Sequence, residues 1–408
     1  MLMRELELNP PESSTGILPV TETLQTDGTS HGQDARATKA LRVLFALPGL
    51  HRVSRGAEVA FEEIARALTA DKHFEVTLIG SGPERPGEPY AYKRARCIRR
   101  EFFEKWPSIP YLRGHYAYEE FTFAPGLLRN FSPQDYDVTL TCGYPYTNWI
   151  LRSRRSDKAA HRPRHVFVTQ NGDWMARAKN WEFKHFGCDG LVCINPEYYE
   201  RHRSRWSSAL IPNGVDVRMF QPGPGDRAAY GLPPGVPVVL MVSALIPSKR
   251  VLEGIRAAAA VPGAHVVIAG DGELRQQVDA LGRELLDDRF HRFTFPRDRM
   301  PGLYRCADLV LHMSTDEPFG NVYLEGLASG LPVVGHDWPV TQWILEDAGL
   351  LVDTHDASAV TEAIRAGLGQ RNPHDVNKRR QLVEKRYAWP KVARQYGEFL
   401  EGICRSNG

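Results

Sequence analysis

Short apolar runs separated by polar, glycine-bearing turns and amphipathic stretches recur along most of the chain. Residues 42–50, RVLFALPGL, predict a strand with a turn, and 57–70, AEVAFEEIARALTA, predict a helix with Val59, Ile64 and Leu68 facing inward. Further strands are expected over 75–79, 137–141, 165–169, 189–194, 237–243, 265–269, 292–295, 307–313, 331–334 and 349–352. Helical spacing follows several of them, with Leu252, Ile255 and Ala258 on one face, then Val322, Leu324 and Leu327, and a last stretch at 360–368. Continuous apolar runs of this length suit strands buried on both faces of a parallel sheet. Their alternation with helices predicts doubly wound α/β architecture.

At 408 residues the chain exceeds one typical core, and two domains are expected. Residues 1–40, rich in Thr, Gly, Ser, Pro and Asp without periodicity, read as a disordered tail. One Rossmann-like domain is expected over 41–220 and a second over 221–385, with Pro and Gly density up to Gly225 marking the boundary.

Charge narrows the function. Fifty-one basic and 49 acidic residues leave +2, so no general nucleic-acid field is implied. Six scattered cysteines without a C-x-x-C read as reduced thiols of a cytoplasmic protein. No apolar run reaches the length of a membrane span. In 92–106, Lys93, Arg94, Arg96, Arg99, Arg100 and Lys105 interleave with Tyr92, Phe102, Phe103 and Trp106. This is either a surface for acidic lipid headgroups or a polyprenyl phosphate, or a solvated face over core aromatics, with Glu101, Glu104, Glu119 and Glu120 diluting the charge. Asp135 and Asp137 form a D-x-D that introduces a strand, and the reading is structural rather than metal-binding.

The most informative stretch is 307–337, a strand–loop–helix–strand unit with Glu317 in the loop and Glu325 inside the helix. A helix N-terminus offers unpaired N–H groups and partial positive charge to a phosphate. Phe319, Gly320, Asn321 and Val322 supply those groups, and Gly320 permits close approach. Glu325 can accept hydrogen bonds from a ribose, and Glu317 can address hydroxyls beyond the phosphates. Phosphate between two sets of hydroxyls describes a nucleotide sugar.

Glu317, Pro318-Phe319-Gly320, Glu325 and then Gly330-Leu331-Pro332-Val333-Val334 together resemble the motif of family 4 retaining glycosyltransferases. The resemblance covers about residues 41–400. It implies the GT-B fold: an acceptor domain, a nucleotide-sugar donor domain, and a terminal helix at 386–408, beginning near Tyr387-Ala388-Trp389-Pro390, that returns to the first domain. Arg55-Gly56-Ala57-Glu58 resembles the family's diphosphate-facing turn, with Arg55 in place of a glycine. Gln170-Asn171-Gly172-Asp173 resembles its acceptor-side turn, with Gln170 in place of a histidine and Asp173 as the candidate acid. Residues 210–222 resemble the interdomain motif, and Lys249 matches the phosphate-neutralising lysine. Ala244 stands where the family carries an arginine, a loss that Arg250 or Arg55 would have to offset. The nucleobase is expected against 292–301.

The resemblance therefore implies a retaining, metal-independent transferase using no cofactor, with Glu317 and Asp173 nearest the chemistry. Donor contacts fall to Gly56, Lys249, Arg250, Phe319, Gly320, Asn321, Val322 and Glu325. The donor is a UDP- or GDP-sugar and the acceptor a saccharide or lipid-linked glycan for cell-surface synthesis, either in the cytoplasm or peripherally at the inner membrane face. Two rivals remain, a nucleotide-sugar 2-epimerase and a catalytically silent GT-B binding protein.

Overall fold

The structure, a computed structural model, describes residues 40–152, 162–173, 181–370 and 372–405. All but the last residue of the tail expected at 1–40 falls outside them. The first sheet comprises β1 (Leu41–Ala46), β2 (Phe74–Gly80), β3 (Ala91–Arg94), β4 (Val138–Thr141), β5 (Arg164–Val168), β6 (Gly190–Cys193) and β7 (Ser208–Leu210). Its order is β3-β2-β1-β4-β5-β6-β7, parallel throughout. The second comprises β8 (Val238–Val242), β9 (His265–Ala269), β10 (Phe290–Phe293), β11 (Leu309–Leu311), β12 (Val333–His336) and β13 (Leu350–Val352). Its order is β10-β9-β8-β11-β12-β13, again parallel.

Each sheet reverses its winding beside its first strand, between β1 and β4 and between β8 and β11. Ligands of open α/β sheets bind outside the carboxyl ends of strands at such points. The loops after β1, β5, β8 and β11 are the ones that carry the motif residues, so topology already gathers them.

The helices are α1 (Gly56–Thr69), α2 (His115–Asn130), α3 (Tyr146–Arg152), α4 (Pro196–His202), α5 (Val251–Ala259), α6 (Arg275–Leu286), α7 (Met300–Cys306), α8 (Asn321–Ala328), α9 (Pro339–Leu345), α10 (Ala357–Leu368), α11 (Pro373–Arg386) and α12 (Trp389–Arg405). In α1 the core side chains are Phe61, Ile64 and Leu68; Val59, expected inward, instead borders the cleft described below. Strand β10 covers 290–293 rather than 292–295, because its pairing with β9 runs from Phe290 opposite Val266.

The chain crosses between the domains twice. Val215 N–H donates to Tyr387 O at 2.8 Å, joining the outgoing and returning segments. Helix α11 is tied to the second domain, where Arg380 Nη1 donates to Ala328 O at 2.9 Å. Helix α12 then lies on the first domain: a Cβ at Gly397 would meet the Phe74 ring at 2.9 Å, and one at Gly190 would meet Ile403 and Phe399 at 3.0 Å. The return of the C-terminus is thus built into close packing against glycine.

Within the basic and aromatic stretch, Phe102 and Trp106 are exposed while Phe103 is buried. Glu119 and Glu120 do not dilute surface charge; both are buried in α2, an element the sequence reading did not isolate. Asp137 of the D-x-D accepts from Arg42 N–H at 2.9 Å and pairs with its guanidinium at 2.8 Å, pinning β1 to the start of β4.

Candidate functional site

Helix α8 begins at Asn321, and Gly320 before it adopts φ +77°, the left-handed region that glycine enters without penalty. A Cβ there would come within 2.7 Å of the Tyr323 ring and 3.0 Å of Glu317 Cγ. The loop can therefore fold tightly back over the helix only with glycine at this position. Phe319 is buried, its ring edge-on to Tyr387 at 6.2 Å, and so anchors the loop while its backbone stays at the helix entrance.

Glu317 accepts from Lys249 Nζ and lies 3.1 Å from His312 Nε2. Burial alone would push its carboxyl up, but the His312 bond and the Lys249 charge outweigh it and hold the pKa at about 2. Lys249 ends a tight 3-10 turn, Pro247–Lys249, in the loop after β8. Arg250 takes φ +51° and turns elsewhere: its Nη1 is 3.2 Å from Thr354 Oγ1. Ala244 is exposed in the same loop.

Glu325 sits one turn into α8 and accepts from the Tyr304 hydroxyl at 2.7 Å. Burial pushes its carboxyl up; the Tyr304 bond and the more distant Arg297 pull it back. The carboxylates of the E-x7-E pair are thus set apart electrostatically. One is pinned ionised by two cationic or proton-bearing neighbours, and the other rests in a less polar setting.

A cavity of about 400 Å³ opens between the domains. Its walls are Asn321, Val322 and Glu325 of α8, Gly270 after β9, Thr294 to Arg297 and Met300, and, from the first domain, Ser54, Arg55, Gly56 and Val59. The cavity runs from the α8 N-terminus to the segment expected to hold a nucleobase. Gly56 approaches α8 closely, since a Cβ there would lie 3.4 Å from Asn321 Nδ2. Two further contacts fasten the domains at this point. Asn213 Nδ2 donates to Asn321 Oδ1 at 3.1 Å, and Asn195 Nδ2 donates to Pro318 O at 2.7 Å.

The structure thus brings Gly56, Asn321, Val322 and Glu325 onto one cavity, with Phe319, Gly320, Glu317 and Lys249 in the adjoining loop cluster. Asp173 does not line this cavity: its carboxylate pairs with Arg201 and lies 2.6 Å from His202 Nε2, both on α4. Burial would raise its pKa, yet His202 and Arg201 draw it below the ordinary value. Gln170 Nε2 donates to Asn213 Oδ1, so the residue in the histidine position joins the interdomain contact. His312 and Tyr304 were not singled out in sequence, and Asn213 was noted only within the interdomain motif. His312 lies just past the end of β11, where a polar residue carries a signal, whereas Tyr304 looks like any core aromatic.

Two α/β domains that share one cleft, with a C-terminal helix returning to the first, define a protein of GT-B architecture. The glycosyltransferase family 4 model matches residues 54–218, and the glycosyl transferases group 1 model matches 224–389. Together they account for about four-fifths of the chain, which belongs to this glycosyltransferase family. Among curated relatives, the lipopolysaccharide core biosynthesis glycosyltransferase LpsE of Rhizobium meliloti is 34% identical over 206 residues, 48% of this chain and 58% of that protein. The D-inositol 3-phosphate glycosyltransferase of Nocardia farcinica is 37% identical over 196 residues, 43% of this chain and 42% of that one. The matched region spans roughly two-fifths to three-fifths of these two relatives. Similar solved structures include sucrose-phosphate synthase of Thermosynechococcus elongatus, at TM-score 0.72 and 19% identity, covering 89% of this chain and 99% of that one. Anabaena HepE in complex with UDP-glucose matches at TM-score 0.67 and 18% identity, covering 89% and 100%. At those identities the likeness establishes the GT-B fold.

Proposed function

We propose that this protein is a retaining, metal-independent glycosyltransferase. It moves a sugar from a UDP- or GDP-sugar to a saccharide or lipid-linked acceptor in cell-surface polysaccharide or glycoconjugate synthesis. The observation that carries this reading is the arrangement of Glu317 and Glu325 about the start of α8. Glu317 is kept ionised by Lys249 and His312 beside the helix entrance, and Glu325 lines a cavity large enough for a nucleotide.

In this reading the diphosphate rests at the α8 N-terminus, where N–H groups of residues 319–322 meet negative charge as the sugar leaves. Glu325 takes the ribose hydroxyls and Glu317 those of the sugar. The base lies between Thr294 and Arg297. Retention follows if the acceptor enters on the leaving-group face, and Asp173 with His202 borders the acceptor side. The names of LpsE and of the inositol phosphate enzyme support a transferase acting on glycans or phosphorylated polyols, and bound UDP-glucose in HepE supports a uridine donor. Exposed Phe102 and Trp106 beside Lys105 support peripheral contact with an anionic membrane through 92–106, consistent with a site at its inner face. The silent-protein reading rests on Ala244, which brings no cation to the donor loop, and on Gln170 in the histidine position.

The test is thermal melting of the wild type and of Glu325→Ala with UDP, GDP, ADP and their common sugars. A ligand at about 100 times its Kd stabilises by about 2.7 kcal/mol, a clear shift. A shift with one nucleotide that Glu325→Ala abolishes supports the reading and names the base. No shift with any nucleotide overturns it in favour of the silent protein.

A further inference from the structure

The charges lining the interdomain cavity are few. Among the described residues they are Arg55 and Arg297 as cations and Glu325 as an anion. A nucleoside diphosphate brings at least two negative charges into this space. Lys249 does not line the cavity and is committed to Glu317, Arg250 is turned to Thr354, and Ala244 carries no charge. Arg297 acts on Glu325 within α8 rather than at its N-terminus and reaches Glu63 at 3.4 Å. Arg55 immediately precedes Gly56, whose backbone faces Asn321 Nδ2 at the start of α8. It is therefore the cation placed opposite the helix N-terminus.

The guanidinium of Arg55 is also positioned without being saturated. Nη2 donates to Glu101 at 2.9 Å, while Nη1 makes no hydrogen bond and stands 3.7 Å from Glu58 and 3.8 Å from Glu119. Glu119 is shared with Arg52 and with Arg100, so these carboxylates hold Arg55 in place while dividing their charge among three arginines. Burial moreover pushes the Glu58 carboxyl up to about 7, which lessens its hold. Nη1 itself is buried between Glu58 and Glu119, so the acids fix the side chain, and what meets an anion is the positive charge that Arg55 brings to the cavity wall, with a helix N-terminus on the other wall.

We infer that Arg55 is a binding residue for the donor diphosphate, supplied from the first domain, and that it takes over the neutralising role for which the loop after β8 has no arginine. This rests on the nucleotide-sugar reading above and adds that the donor is gripped from both domains. Binding then draws Arg55 and α8 together, so nucleotide release requires that grip to part.

The experiment is calorimetric titration of the full chain with UDP and GDP and, separately, with uridine and guanosine. For Arg55→Ala the expected result is roughly tenfold to hundredfold weaker binding of the diphosphate, with nucleoside affinity unchanged. Arg55→Lys is expected to regain part of the loss. The unchanged nucleoside affinity excludes misfolding as the cause. Wild-type diphosphate affinity in Arg55→Ala overturns the inference while leaving the donor reading standing. A wild type that binds neither diphosphate removes both.

Discussion

His312 Nε2 lies 3.1 Å from Glu317 Oε2, joining the residue just past β11 to the carboxylate in the loop before α8. With Lys249 on the same carboxylate oxygen, the Glu317 side chain has its charge fixed before any ligand arrives. Such preorganisation suits a group that must hold a sugar rather than exchange protons with it.

Replacing Glu317 with Gln tests this. The variant leaves Lys249 and His312 facing a neutral amide and is expected to lose about 2 kcal/mol of stability at pH 7, read by denaturant unfolding. The folded pKa, about 2, is depressed from 4.5, so the stabilisation is present above pH 4.5 and lost as pH falls toward 2. Wild-type and variant stabilities should therefore converge across that window. A constant gap down to pH 2 would mean that the carboxylate charge is not what matters.

Tyr304→Phe removes the hydroxyl that favours the ionised form of Glu325. The Glu325 carboxyl, already pushed up by burial, should rise further. Nucleotide affinity, followed by titration between pH 5 and 8, is expected to fall off at a higher pH in the variant than in the wild type. Identical pH profiles would show that Glu325 ionisation does not govern binding.

Gly320→Ala places a Cβ 2.7 Å from the Tyr323 ring in a left-handed backbone conformation. The strain is about 1–2 kcal/mol, and relief requires the 317–321 loop to shift away from the helix entrance. Melting temperature and nucleotide affinity should fall together. Gly402→Ala, in α12 with open space where its Cβ would sit, is expected to be neutral or to stabilise by up to about 1 kcal/mol.

Glu120 is fully buried, accepts from Thr147 Oγ1 at 3.1 Å, and has its carboxyl pushed up to about 7 by burial. A raised folded pKa contributes stability that is complete below the unfolded value of 4.5 and is lost as pH rises through about 7. Glu120→Gln keeps the acceptor and sheds the titration. It should match the wild type near pH 5 and exceed it at pH 8.5 by on the order of 2 kcal/mol. Parallel stability curves over that range would refute the shift.

Much of this architecture was legible before folding. The apolar runs of β1, β8 and β9 are buried on both faces, and a strand buried on both faces admits few polar residues, so composition marks it. Helix α11 escaped because PHDVNKRRQLVEKR is polar nearly throughout, and it buries only Arg379 and Val383. Helix α2 was obscured by its internal Pro125 and by Glu119 and Glu120, whose burial depends on partners from elsewhere in the chain, arginines for Glu119 and Thr147 for Glu120. Glu119 pairs with Arg52, 67 residues earlier, a partnership no local pattern announces.

The sequence by itself determined most of the core strands, the glycine that opens α8 and the pair Glu317 and Glu325, because each depends on neighbours within a few residues. Only the tertiary structure decided which cations reach the cleft. Arg250 and Arg55 are equivalent as letters, and both stand near a strand's carboxyl end. Packing turns one toward Thr354 and sets the other on the cavity wall opposite Asn321. The reason is physical: a charge acts through its distance and screening, and both are set by residues far away in the chain.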